Sequence, residues 1–182
     1  MPPFEIQSIE SAPEGSKAPL ESLRHAFGMV PNVAGIIANS PVLAGVFVPL
    51  FAGVHSGTLS EGEIQTLLLT NAVTNRCVWA VAFHSYLALK AGLAPADVKA
   101  IRERRVPRDP RLAALSSYAL SLIETRGHVG EEAVEALVSA GFKTEQALEV
   151  LAVSAASTIT NYTLNIAEPP LEAMFQAHAW RP

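Results

Sequence analysis

The chain has 182 residues, with 13 basic and 17 acidic side chains and a formal net charge of −4. Apolar residues make up 49% and charged ones 16%, a balance too apolar for a disordered chain and too acidic for a phosphate-binding surface, so no nucleic-acid partner is expected. A single cysteine excludes an intrachain disulfide framework and any zinc site built on several thiolates.

Helix punctuation recurs along the whole length. Residues 1–17 are rich in Pro, Gly, Ser and Glu and read as an arm that packs late or not at all. Leu20 to Phe27 is a short helix stopped by Gly28, followed by Pro31 to Ala38. Asn39-Ser40-Pro41 is a stop and a new start, with Pro in the first turn of a helix to Val54. Ser60-Glu61-Gly62-Glu63 has the capping-box pattern and opens a helix through Thr74. Asn75 reads as the N-cap of the next helix, from about Cys77 to Ala91, ended by Gly92. Ala94-Pro95 starts a helix to about Arg105, and Asp109-Pro110 another to about Arg126. Gly130 to Ala140, Thr144 to Ala167 and Leu171 to His178 complete the series. No segment alternates with a period of two, so the fold class is all-α, with nine to ten helices around a central apolar hairpin formed by 60–74 and 77–91. One domain spans 1–182, with a core motif region at 27–93 and a second helical half at 94–182.

Ala26 to Val54 carries no charged residue, long enough to span a bilayer, but Pro31, Asn32, Asn39, Ser40, Pro41 and Pro49 interrupt it. The N-terminus lacks a basic region followed by an apolar one. No membrane association is therefore expected, and a cytoplasmic location is.

The chemistry-bearing segment is Asn75-Arg76-Cys77 through His84. With Asn75 as N-cap, Cys77 falls in the first turn, where free backbone N–H groups and Arg76 favour a thiolate. A buried, inert cysteine is the competing reading, and the better supported one on local sequence. His84 lies two turns further on the same face, about 10.5 Å along the axis and too far for a direct hydrogen bond. Ala80 stands between them and bridges nothing. Gln65, amid Ile64, Leu67, Leu68 and Leu69, must find partners, and in a hairpin it approaches the face of Ala80 and His84. His25, His55, His128 and His178 have no metal-ligand spacing and read as surface residues. No Gly-rich phosphate loop is present, so neither a metal nor a cofactor is expected.

Gly28-Met29-Val30-Pro31-Asn32, Asn39-Ser40-Pro41, Gly57-Thr58-Leu59-Ser60, Asn75-Arg76-Cys77, His84 and Ala91-Gly92-Leu93 occur in an order and spacing that resemble the alkylhydroperoxidase D-like, peroxidase-related branch of the carboxymuconolactone decarboxylase superfamily. The resemblance implies an all-α homo-oligomer (dimer, trimer or hexamer) and an antioxidant oxidoreductase of peroxiredoxin type, working through a Cys-x-x-Cys pair, a His and a relay Glu. Cys77 matches the first cysteine and His84 the histidine, and Trp79 falls where an aromatic is common. Ala80 replaces the peroxide-attacking cysteine and Gln65 the relay glutamate. The implied candidate site is thus Cys77, His84 and Gln65, lined by Trp79 and Ala80. Three functions follow: a one-cysteine peroxidase resolved by an external thiol, a lyase-like enzyme using His84 on a small organic acid or lactone, and a non-catalytic helical oligomer. The charge-poor stretch Ile64–Leu89, where Arg76 is the one charged residue, is expected to be buried between subunits, with the site in a dry pocket near that interface.

Overall fold

Side-chain caps written in the sequence set the starts of three helices. The computed structural model describes residues 4–182, and these form nine α-helices and one 3-10 helix, with no strand among the described residues. The helices are α1 (Glu14–Phe27), α2 (Asn32–Ile37), α3 (Pro41–His55), α4 (Glu61–Thr74), α5 (Val78–Lys90), α6 (Pro95–Arg102), α7 (Pro110–Glu124), α8 (Glu131–Ser139) and α9 (Thr144–Ala167), with the 3-10 turn at Ala173–His178. Ser40 caps α3 by accepting from the Leu43 N–H at 3.2 Å. Ser60 and Glu63 close the expected capping box on α4. Asp109 accepts from the N–H groups of Arg111 and Leu112 at the start of α7. Each such cap satisfies a donor the helix leaves open and contributes about 1 kcal/mol.

The N-terminal segment differs from the expected loose arm. Residues 1–3 lie outside the described residues, but α1 already begins at Glu14 and carries Pro19 inside it. Its packing on α3 overrides the proline: a Cβ on Gly15 would stand 3.0 Å from the Pro41 Cβ, so the two helices meet at close range. Upstream, the Gln7 N–H donates to the Gly35 carbonyl at 3.2 Å, and the Asn39 side-chain amide donates to the Glu5 carbonyl at 2.7 Å. The arm is therefore stitched to α2 by a backbone bond and to the turn after it by the Asn39 side chain, which composition does not reveal.

α4 is the central element. Every residue from Glu63 to Val73 is buried, because α5, α6, α7 and α9 pack around it. This corrects the expected subunit burial of the hairpin. The chain's own helices and the C-terminal 3-10 turn cover the charge-poor 64–89 stretch. Among the described residues, no helix is long and apolar enough to cross a membrane.

The turn between α4 and α5 is tighter than the sequence suggested. Asn75 is the C-cap of α4 and not the N-cap of α5. Arg76 takes the left-handed position, with φ +52°, and donates its N–H to the Val73 carbonyl, while the Cys77 N–H reaches the Ala72 carbonyl at 2.9 Å. That pair of bonds is a Schellman motif, which normally recruits glycine. Its cramped geometry makes Cys77 itself the N-cap of α5, one position outside the helix. Gly92 ends α5 with the same motif in its ordinary form, at φ +91°.

A candidate active site on the central hairpin

The hairpin brings two of the three candidate residues together. Gln65 on α4 and His84 on α5 meet, His84 Nδ1 lying 3.0 Å from Gln65 Oε1. Gln65 is only 1% exposed, so this bond answers the need for a partner that its apolar neighbours impose. Its Nε2 donates in turn to Glu61 Oε1 at 2.7 Å, one turn earlier on the same face of α4. Glu61 Oε2 lies 3.0 Å from Nδ1 of His55, the last residue of α3. Four polar side chains from three helices thus run in a line from the interior to the surface.

They form one edge of a cavity of about 530 Å³. Phe27, Phe51, Leu68, Phe83, Met174 and Phe175 supply apolar walls, and Lys90 stands on the lining as a second charged group beside Glu61. The aromatic walls brace one another: Phe27 lies edge-on to Phe83 at 5.6 Å between centroids, and Phe83 edge-on to Phe175 at 5.1 Å. The C-terminal turn therefore closes a side of the cavity that the motif region alone would leave open.

Burial sets the electrostatics. It pushes the pKa of His84 down to about 3, with the positive character of His55 opposing protonation further and Glu61 weakly favouring it. His84 is neutral throughout the working pH range. The Glu61 carboxyl is held below its ordinary value, chiefly by the His55 hydrogen bond against the opposing effect of burial, and also by Gln65.

Cys77 lies elsewhere. It is 1% exposed and is not among the residues lining the cavity. Burial pushes its thiol up to about 11, although the backbone N–H groups of Ala80 and Trp79 at the start of α5 pull the other way. The helix terminus acts on the sulfur as the sequence suggested, and desolvation outweighs it. Trp79 and Ala80 lie behind the cavity, where they line a crevice of about 50 Å³ with Phe83 and His84. The Trp79 indole N–H donates to Glu172 at 2.9 Å, and Glu172 also takes the N–H of Asn32 at 2.8 Å. Trp79 thereby ties α5 to the segment leading into the 3-10 turn.

Sequence reading left out His55 and Glu61. His55 read as a surface residue, and it is indeed exposed on one side, while Glu61 read as part of a cap. The spacing of Glu61 and Gln65, four apart on one helix face, was the available signal. The arrival of His55 from α3 had none. Among the described residues, no three His, Cys, Asp or Glu side chains gather as a metal site would need.

Residues 41–121, which include α3, the hairpin and most of α7, match the Carboxymuconolactone decarboxylase family. The fold matches a peroxidase-related protein from Ralstonia eutropha with an alkylhydroperoxidase AhpD core, at TM-score 0.82 and 21% identity, covering 94% of this chain and 93% of that one. Residues 41–121 thus resemble the carboxymuconolactone decarboxylase family, and the whole chain has the AhpD-like fold. A peroxidase-related protein from a Silicibacter species shares the fold at TM-score 0.78 and 17% identity, over 97% of this chain and 93% of that one. So does the debrominase Bmp8, solved as a cysteine-to-alanine variant with 2,3,4-tribromopyrrole, at TM-score 0.79 and 16% identity, over 96% and 94% of the two chains. No curated relative matches the chain. Peroxidase-related proteins and a debrominase share one fold. The scaffold is thus common to different chemistries, and the side chains in the cavity carry the distinction.

Proposed function

We propose that the 530 Å³ cavity is an active site and that His84 is its acid–base group, acting on a small, largely apolar organic molecule in a lyase-like reaction. The observation that carries this reading is the contrast between the two motif residues. His84 is neutral, lines the cavity and is held by Gln65, whereas Cys77 is sealed away with a raised pKa. A neutral imidazole nitrogen can accept a proton as charge develops on a substrate, and the apolar walls strengthen each electrostatic contact by excluding water. A debrominase of the same fold binds a small ring compound, and the cavity here has room for a ligand of that size.

The one-cysteine peroxidase is the second reading, favoured by the two N–H groups aimed at the Cys77 sulfur. Here the thiolate attacks a peroxide oxygen, an alcohol leaves, and an external thiol reduces the resulting sulfenic acid. Two variants separate the readings. Under the first, His84→Ala lowers kcat on a small organic acid or lactone by about 10²–10⁴-fold and Cys77→Ser leaves it nearly unchanged. Hydroperoxide turnover with added thiol that disappears in Cys77→Ser and survives His84→Ala reverses the assignment. An oligomer inert in both assays, as wild type, is the non-catalytic family member.

A further inference from the structure

One end of the polar chain fixes the state of the other. The Glu61 carboxylate can only accept hydrogen bonds, so it takes the amide NH₂ of Gln65. Gln65 Oε1 is thereby turned to His84, and a carbonyl oxygen also only accepts. The proton of the neutral imidazole must then sit on Nδ1, which leaves a lone pair on Nε2. That nitrogen has no hydrogen-bond partner among the described residues and is not sealed from the cavity its ring lines. His55 binds the other carboxylate oxygen of Glu61 and keeps it facing Gln65.

We infer that the cavity takes a ring-bearing small molecule with an acidic O–H or N–H, which donates to His84 Nε2, and that Glu61, acting through Gln65, is the positioning residue that sets this preference. The inference rests on the reading of the cavity as the active site. Rings of Phe27, Phe51, Phe83 and Phe175 supply faces and edges for an aromatic ligand. A ligand without a donor leaves Nε2 desolvated and unpaired, and one offering only an acceptor sets lone pair against lone pair. An ionised carboxylate finds no positive charge at His84, which burial keeps neutral, and meets one only away from it, at Lys90 on the lining. The arrangement differs from the catalytic triad in one respect: the group touching the histidine is an uncharged amide, so it orients the ring without stabilising an imidazolium. His84 is therefore suited to hold an acidic hydroxyl, and to take its proton only as the substrate develops charge.

The full-length protein is titrated with 2-naphthol, 2-methoxynaphthalene and naphthalene, with binding read by calorimetry and the His84 ring nitrogens followed by ¹⁵N NMR. Naphthalene controls for the bulk of the ether's methyl group. Wild type should bind 2-naphthol about tenfold more tightly than either donor-less compound. The free protein should show the Nδ1–H tautomer. In Glu61→Gln the new amide can present either end to Gln65, so the two tautomers should mix and the preference should shrink to within about twofold. His84→Ala should bind all three alike, which separates His84 from Glu61 as the acceptor. Equal affinities in wild type, no binding of any of the three, or an Nε2–H tautomer in the free protein overturns the ligand class. An undiminished preference in Glu61→Gln overturns the positioning role. Turnover that survives His84→Ala is a different result, because it defeats the active-site reading and leaves the tautomer and the binding order standing.

Discussion

At the residue scale, Cys77 shows how two opposing effects are ranked. Enclosure by apolar side chains disfavours a thiolate, and the N–H groups of Ala80 and Trp79 at the helix start favour one. The first wins, and the thiol rises from 9.0 to about 11. Two units of pKa lower the thiolate fraction about a hundredfold at any pH below both values. Iodoacetamide at pH 8 should therefore modify the native chain at least about tenfold more slowly than the urea-unfolded one, measured by mass spectrometry of the alkylated chain. A native rate equal to the unfolded rate would return Cys77 to the centre of the mechanism. His84 follows the same physics with the opposite charge: burial keeps a base neutral as it keeps an acid neutral. The sequence identified the motif histidine and the polar residue opposite it. It could not rank burial against the helix terminus, because the helices that cover Cys77 come from distant parts of the chain.

At the element scale, α4 depends on one carboxylate doing two jobs. Glu63 accepts from the Ser60 N–H at 2.8 Å within the capping box, and from Arg111 Nε on α7 at 2.6 Å. Arg111 also lies over the Phe142 ring at 3.7 Å and donates to the Gly141 carbonyl, so α4, α7 and the α8–α9 turn meet at this point. Burial raises the Glu63 pKa, but the Ser60 N–H and Arg111 outweigh it and hold the carboxyl below 4.5. The native state thus releases this proton more readily than the unfolded chain. The resulting stabilisation is complete above pH 4.5 and is lost as pH falls through the native value. Glu63→Gln should lower stability by on the order of 1–2 kcal/mol at pH 7 in urea unfolding, with a shallower decline below pH 4.5 than wild type. Identical acid limbs in the two proteins would rule out this role. The capping box was visible in four consecutive residues because its bonds are local. The bond to Arg111 spans 48 positions and has no local sign.

At the scale of the whole molecule, the two charge-poor stretches part company. The 64–89 stretch is consumed by the chain's own core, and the earlier one only in part: α2 and one face of α3 are buried. On α3, Val42 is 78% exposed and Val46 57%. On α9, which packs against α3, Leu148, Leu151, Tyr162 and Ile166 follow one helix face and are all more than half exposed. Apolar faces of this kind are the usual mark of a contact with another protein. We expect a second copy of this chain to cover them. Light scattering coupled to size exclusion should give a multiple of 19.3 kDa. Leu148→Glu combined with Ile166→Glu should shift that mass toward the single chain. A wild-type mass of one chain would leave these faces to some other contact. That expectation puts the interface on α3 and α9 and not on the hairpin.

The sequence by itself determined the all-α class, the caps at Ser40, Ser60 and Asp109, the left-handed stops at Gly28, Gly92 and Gly141, and the two helices of the central hairpin. These depend on local hydrogen bonds and on the 3.6-residue period, and both are written in neighbouring residues. The tertiary structure decided what the candidate site contains. It sealed Cys77, left His84 open to a cavity, brought His55 from α3 to Glu61, and closed the cavity with Phe175 from the far end of the chain. The reason is that burial and long-range hydrogen bonding depend on which helices stack together. Whether a titratable group is neutral or charged follows from that stacking.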